Sequence, residues 1–110
     1  MHAAPAFYAA YFFGGAFLTN AIPHFVCGVM GKPFQSPFAK PPGEGYSSSK
    51  VNVLWGFLNI VIGYVLLVPV GKFEIGFVDE TAVAGLGALL FGYWMAGRFG
   101  RFNGGAAPKA

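Results

Sequence analysis

A long run without a charged side chain, VNVLWGFLNIVIGYVLLVPVG, extends from Val51 to Gly71. The nearest charges on either side are Lys50 and Lys72, immediately outside the run. An α-helix of about 20 apolar residues crosses a bilayer core about 30 Å thick, so this run is long enough to span a membrane. The run therefore predicts a transmembrane helix.

Two further runs, Met1 to Gly31 and Thr81 to Gly97, also lack Lys, Arg, Asp and Glu. The shorter of them lies near the lower limit of about 17 residues for a membrane span. All charged side chains fall between the runs or after the third. The fold class predicted is an all-α integral membrane protein with three transmembrane helices.

The composition excludes a soluble domain. Only 10% of the residues are charged and 55% are hydrophobic, whereas soluble domains average about 25% charged residues. The length of 110 residues predicts a single membrane domain over 1–110. The bases flank the apolar runs instead of clustering on one face, so no nucleic-acid partner is predicted despite the net charge of +3.

The predicted elements follow from the runs and from the Pro and Gly residues between them. Pro23 either kinks helix 1 or ends it at Ile22, because proline disrupts a helix interior and restricts the residue before it. The expected order is helix 1 at about 5–30, a loop at 31–50, helix 2 at about 51–70, a loop at 71–80, helix 3 at about 81–98 and a flexible tail at 103–110.

The distribution of bases predicts the orientation. The loop before helix 2 and the tail after helix 3 share one side and hold six bases, whereas the loop before helix 3 holds Lys72 alone. Bases are enriched on the cytoplasmic side, so we expect the N-terminus outside and the C-terminus in the cytoplasm. The expected location is the bacterial plasma (inner) membrane, with several passes. The six bases are Lys32, Lys40, Lys50, Arg98, Arg101 and Lys109.

Helix 3 has a ridge of small residues at four-residue spacing. Such a ridge lets two helix backbones approach closely, which drives helix association in lipid. Two interpretations stay open: the ridge packs on the other helices of this chain, or it docks onto another subunit. The ridge consists of Ala84, Ala88, Gly92 and Ala96.

A polar set lies within the apolar helices near their predicted cytoplasmic ends. With a rise of about 1.5 Å per residue, antiparallel helices 1 and 2 place Asn20 level with Asn59. The same estimate places His24 level with Asn52 and Trp55. Since unpaired polar groups are costly in hydrocarbon, we expect these side chains to pair.

Two interpretations of this set are considered. The simpler one is hydrogen bonding that holds helices 1 and 2 together. The other is a site for a quinone, a lipid head group or a haem near His24. No cofactor is predicted outright. No metal site is predicted, because His24 and Cys27 provide fewer ligands than zinc requires.

The loop at 31–50 is rich in proline. It also contains two large apolar side chains, Phe34 and Phe38, on either side of Gln35, although a loop of this kind should face water. The prolines and glycines predict turns and extended pieces instead of a helix. A disordered linker would contain fewer aromatic residues, so we expect an ordered cytoplasmic loop. Its phenylalanines lie either at the membrane interface or over the polar set.

Several short stretches in the first half of the chain resemble small, uncharacterised bacterial membrane proteins. The resemblance implies no activity, and no functional role is carried over from it. The stretches are IPHF at 22–25, PFQSPF at 33–38, PPG at 41–43 and VNVLWG at 51–56.

The functional hypothesis is a small accessory, structural or assembly subunit of a larger membrane complex or homo-oligomer, without catalysis of its own. Its partners are membrane lipids and other integral membrane subunits or copies of itself. No set of nucleophile, base and orienting residue is recognisable, and no acid is predicted within a span. The alternative is a membrane binding module near His24, and a third is a small-solute channel formed by an oligomer.

Overall fold

The computed structural model describes residues 4–106, most of which belong to three long helices. Helix α1 is Pro5–Val29, helix α2 is Ser49–Val65 and helix α3 is Val78–Asn103. A π-helical segment, Leu66–Val70, extends α2 without a break. Each of the three helices, with the extension counted in α2, is long and apolar enough to cross a membrane.

Helix α1 continues through Pro23 and ends at Val29. The alternative in which the helix ends at Ile22 is therefore not the one adopted. Pro5 occupies the first turn of α1, where the missing N–H has no intrahelical partner to lose. Pro69 lies within the π-helical segment, where the hydrogen-bonding pattern is already widened.

Helix α1 is the central element of the fold. Both α2 and α3 pack along it, whereas α2 and α3 contact each other only marginally. The backbones come close where glycine faces a neighbour: a Cβ atom on Gly15 would lie 2.0 Å from the carbonyl oxygen of Ala84. A Cβ atom on Gly56 would lie 2.6 Å from the backbone nitrogen of Phe25. Small residues therefore fix both interhelical contacts.

Helix α3 is longer than the predicted span at 81–98. It begins at Val78, so that Asp79 and Glu80 lie in its first turn, where negative side chains are favoured by the helix dipole. It ends at Asn103, followed by Gly104 in the left-handed conformation with φ 92°. Of the tail predicted at 103–110, the N–H groups of Gly104 and Ala106 donate to the carbonyl oxygen of Gly100, and 107–110 lie outside the described residues.

The loop between α1 and α2 contains a small antiparallel hairpin. Strand β1 is Phe34–Gln35 and strand β2 is Tyr46–Ser47, with Phe34 opposite Ser47. The hairpin lies against the ends of the helices, because Gln35 and Ser36 are almost completely buried. The loop is thus folded onto the bundle at the end that holds His24.

Candidate functional site

Asn52 is the most heavily hydrogen-bonded side chain at this end of the bundle. Its Oδ1 atom lies 2.8 Å from Nδ1 of His24, which joins α2 to α1. Its Nδ2 group donates to the carbonyl oxygens of Phe34, Ser47 and Ser48 at 3.1 to 3.2 Å. A single buried amide therefore connects two helices and both strands of the hairpin.

These contacts determine which ring nitrogen of His24 carries the proton. Since the amide nitrogen of Asn52 faces three carbonyl oxygens, its oxygen must face His24, and Nδ1 of His24 must donate. In the neutral ring Nε2 is then a hydrogen-bond acceptor. Within residues 4–106, Nε2 makes no hydrogen bond.

A second interhelical hydrogen bond lies closer to the middle of the helices. Nδ2 of Asn20 donates to Oδ1 of Asn59 at 2.9 Å. Nδ2 of Asn59 donates in turn to the carbonyl oxygen of Trp55, one helical turn earlier, at 2.8 Å. Both ends of the fully buried Asn59 amide are therefore used inside the protein. The pairs Asn20–Asn59 and His24–Asn52 are the two that the sequence-based estimate places at equal heights along helices 1 and 2.

Aromatic rings enclose His24. The ring centroids of Phe34, Trp55 and Phe99 lie 5.3, 6.2 and 6.2 Å from the imidazole, all in edge-on arrangements. His24 is only 2% exposed. A haem would reach Nε2 only if these rings moved away, so the packing does not fit a haem site.

Trp55 and Phe38 form the outer part of this aromatic group. The ring of Phe38 stands edge-on to Trp55 at 5.2 Å, although Phe38 itself is 64% exposed. The buried indole Nε1 of Trp55 has no hydrogen-bond partner in the described part of the chain. Of the two phenylalanines, Phe34 thus covers His24 while Phe38 remains at the surface.

Gln35 connects the hairpin to the end of α3. Its Oε1 atom accepts a hydrogen bond from Nδ2 of Asn103 at 3.1 Å, while its buried Nε2 group has no partner among residues 4–106. Arg98 adds a second connection, donating to the carbonyl oxygen of Gly43 at 3.3 Å. The hairpin is therefore held by all three helices.

The predicted ridge of α3 lies partly against α1. Ala84 and Ala88 face Gly15, and a Cβ atom on Gly92 would lie 3.3 Å from the methyl group of Thr19. Ala96 is exposed. Most of the ridge is thus used for packing inside the chain, which is the first of the two interpretations left open above.

Two apolar cavities lie along the groove between α1 and α3, and both include Thr19 and Ile22 in their walls. The first, of about 280 Å³, lies at the His24 end and shares Phe34 and Phe99 with the rings around the imidazole. The second, of about 330 Å³, lies nearer the opposite end. The first is slightly smaller than typical ligand pockets of about 300 to 1,000 Å³.

A polar cluster at the opposite end of the bundle was not predicted from the sequence. Glu80, which the sequence assigned to the loop at 71–80, is fully buried in the first turn of α3. Its Oε1 atom accepts from the backbone N–H of Glu74 at 2.8 Å. The buried Tyr11 hydroxyl donates to the carbonyl oxygen of Gly71 at 2.6 Å. Acidic residues directly before an apolar run were the available signal for this helix start.

In the described part of the chain, no group of three or more His, Cys, Asp and Glu side chains is placed to hold a metal ion. No protein-family model, curated protein or solved structure matches the chain.

Proposed function

We propose that this protein is a small integral membrane subunit that acts by binding other membrane proteins and has no catalysis of its own. The observation that carries the proposal is that the polar amides lie in the interior of the protein, whereas its surface is apolar. The buried Asn52 and Asn59 amides are used in internal hydrogen bonds. The surface is strongly apolar, with Leu54 72% exposed and Leu89 66% exposed. An apolar surface of this extent suits a lipid environment and helix partners.

The proposed topology has three membrane spans, with the N-terminus outside and the hairpin end in the cytoplasm. Five of the six described bases lie at the hairpin end, with Glu44 as the only acid there in the described residues. The opposite end holds Lys72 together with Glu74, Asp79 and Glu80. This asymmetry supports the orientation through the preference of bases for the cytoplasmic side. The bacterial inner membrane remains the proposed location, as expected from the resemblance of the sequence and independently of this asymmetry.

The groove beside α1 is the proposed contact surface for a partner helix. Since α2 and α3 scarcely touch, α1 is left accessible between them. The exposed residues Gly85 and Ala96 line the two cavities along this groove. Small side chains of this kind let a further helix approach, from a different subunit or from a second copy of the chain.

The test is the assembly state of matched α3 variants. A Cβ atom on Gly85 or on Gly97 would meet nothing within 4 Å, so a side chain can start at either position without a backbone clash. Gly85 lies in the groove and Gly97 lies on another face. We expect Gly85→Leu to release the partner subunit or the second copy and Gly97→Leu to retain it. Native mass spectrometry and size exclusion in mild detergent measure the difference. A monomeric wild-type chain without a co-purifying protein contradicts the proposal.

A second candidate function is the binding of a small apolar ligand, such as a quinone or a lipid chain, beside His24. The specific observation in its favour is an apolar cavity whose wall includes Phe34 and Phe99, two of the rings that pack against His24. Ala96 is exposed at the rim of that cavity. Ala96→Leu should fill the cavity without disturbing the hydrogen bonds of His24. Solvent extraction and mass spectrometry of the purified protein should then show loss of the bound molecule, and an unchanged extract rejects this candidate.

A further inference from the structure

Helix α3 has a notch on a face that no other element within residues 4–106 covers. Gly97 is exposed, and the space above it is open because glycine has no side chain. Aromatic residues precede the glycine and two arginines follow it, at spacings that place them around one stretch of the helix surface. The notch is an open depression of about 450 Å³, lined by Leu90, Tyr93, Trp94, Gly97, Arg98 and Arg101.

The two arginines differ in how they are held. Arg98 donates to the carbonyl oxygen of Gly43, so the hairpin keeps this guanidinium beside the notch. Arg101 is exposed, and its guanidinium carbon lies 5.5 Å from the centre of the Phe102 ring. A guanidinium has five N–H donors, so most of the donors on each arginine are not used by these contacts. Donors of this kind match the oxygens of a phosphate group.

The charge around the notch favours an anion. Lys32, Lys40 and Lys50 lie at the same end of the bundle as the two arginines. Toward the middle of α3, the wall of the notch becomes apolar at Leu90, and Leu86 and Leu89 beyond it are exposed. A ligand that fits this surface has an anionic head and an apolar tail. Tyr93 and Trp94 lie between these parts, where amphipathic rings occur at a membrane surface.

We infer that the notch binds an anionic phospholipid, with its phosphate between Arg98 and Arg101 and an acyl chain along the exposed leucines of α3. A free phosphate ion would use the arginines alone and would leave the aromatic and leucine surface without a role. The inference rests on the membrane insertion in the proposed function, but it does not depend on a partner subunit. It adds a specific lipid ligand to that function.

The test uses the full chain in vesicles that contain phosphatidylglycerol and phosphatidylcholine, with bromine atoms on one lipid at a time. Trp94 is 57% exposed, so bromine near the notch quenches its fluorescence. Wild-type protein should be quenched more strongly by brominated phosphatidylglycerol, and Trp94→Phe should abolish the difference. Arg101→Gln should lower the preference roughly fivefold, because it removes a charge-assisted hydrogen bond to the phosphate, which contributes at least about that factor.

Matched variants separate a site from diffuse surface charge. Lys50 is an exposed base at the same end of the bundle, and Lys50→Gln should leave the preference nearly unchanged. Gly97→Leu should fill the notch and reduce the preference, whereas Gly85→Leu on the other face should not. Equal quenching by the two lipids, an equal effect of Lys50→Gln and Arg101→Gln, or displacement by inorganic phosphate would overturn the inference. Extraction at alkaline pH reports insertion separately, so loss of insertion is distinguished from loss of lipid selectivity.

Discussion

Nδ1 of His24 lies 2.8 Å from Oδ1 of Asn52, and the nitrogen of the same amide donates to three backbone carbonyls of the hairpin segment. The position of the hairpin and the orientation of the imidazole thus depend on one side chain. Because Asn52 is 0% exposed, solvent does not reach these contacts in the folded protein. The buried amide is therefore the structural centre of this end of the bundle.

Replacing Asn52 should destabilise the protein more than replacing any other asparagine of the polar set. Asn52→Ala removes the partner of His24 Nδ1 and the side-chain donor to three carbonyl oxygens, of which that of Ser48 keeps a hydrogen bond from the backbone N–H of residue 52. We expect a loss of about 3 kcal/mol in the free energy of unfolding. Asn20 makes one hydrogen bond and is half-buried, so Asn20→Ala should cost only about 1 kcal/mol. Both losses in the free energy of unfolding can be measured by unfolding the variants in mild detergent while circular dichroism monitors the helix content. Equal losses would show that Asn52 has no special role.

The positions of the three long apolar helices, and the pairing of Asn20 with Asn59 and of His24 with Asn52, could be predicted from the sequence. Charge is too costly in hydrocarbon to occur by chance, so its absence marked all three helices. The constant rise of a helix then placed His24 level with Asn52. Pro23 could not be interpreted in the same way. A proline within a helix is tolerated when neighbouring groups compensate for the lost hydrogen bond, and the packing that decides this is tertiary.

The hairpin and the start of α3 could not be predicted to the same extent. A strand of two residues such as Phe34–Gln35 is too short to show the alternation of apolar and polar side chains that identifies a strand in a sequence. Its position depends on contacts with Asn52 and Asn103. Glu80 was counted with the preceding loop because charge served as the boundary of a span. The residue is instead buried by the packing of its neighbours, and a rule based on charge alone does not detect such a site.

Gly15 should tolerate no larger side chain. A Cβ atom there would lie 2.0 Å from the carbonyl oxygen of Ala84, and backbone cannot move aside as a flexible side chain does. We expect Gly15→Leu to separate α3 from α1 and to cost about 3 kcal/mol, in the upper range for overpacking. Gly97→Leu in detergent without phospholipid is the control, because its Cβ atom meets nothing within 4 Å. Thermal unfolding of the two proteins should differ clearly, and a shared midpoint would contradict the close contact.

Glu80 should act as a hydrogen-bond acceptor for the segment that precedes α3. Its Oε1 atom accepts the backbone N–H of Glu74, and the carboxylate is completely buried. Glu80→Ala removes the acceptor and should cost about 2 kcal/mol, whereas Glu80→Gln keeps an oxygen and should cost less than about 1 kcal/mol. Denaturation of the purified variants tests this order. If the glutamine variant is as unstable as the alanine variant, the negative charge itself is required.

The hydrogen bond between Gln35 and Asn103 should limit the opening of the hairpin. Gln35→Ala removes the acceptor for Asn103 Nδ2, and a loss of about 1 kcal/mol corresponds to a roughly fivefold increase in local opening. Hydrogen exchange followed by mass spectrometry should detect this at Gly43, whose amide donates to the carbonyl oxygen of Ser36 at 2.8 Å. Phe38→Ala is the control, because Phe38 lies in the same loop and is largely exposed. If the two variants exchange at the same rate, the bond to α3 does not hold the hairpin closed.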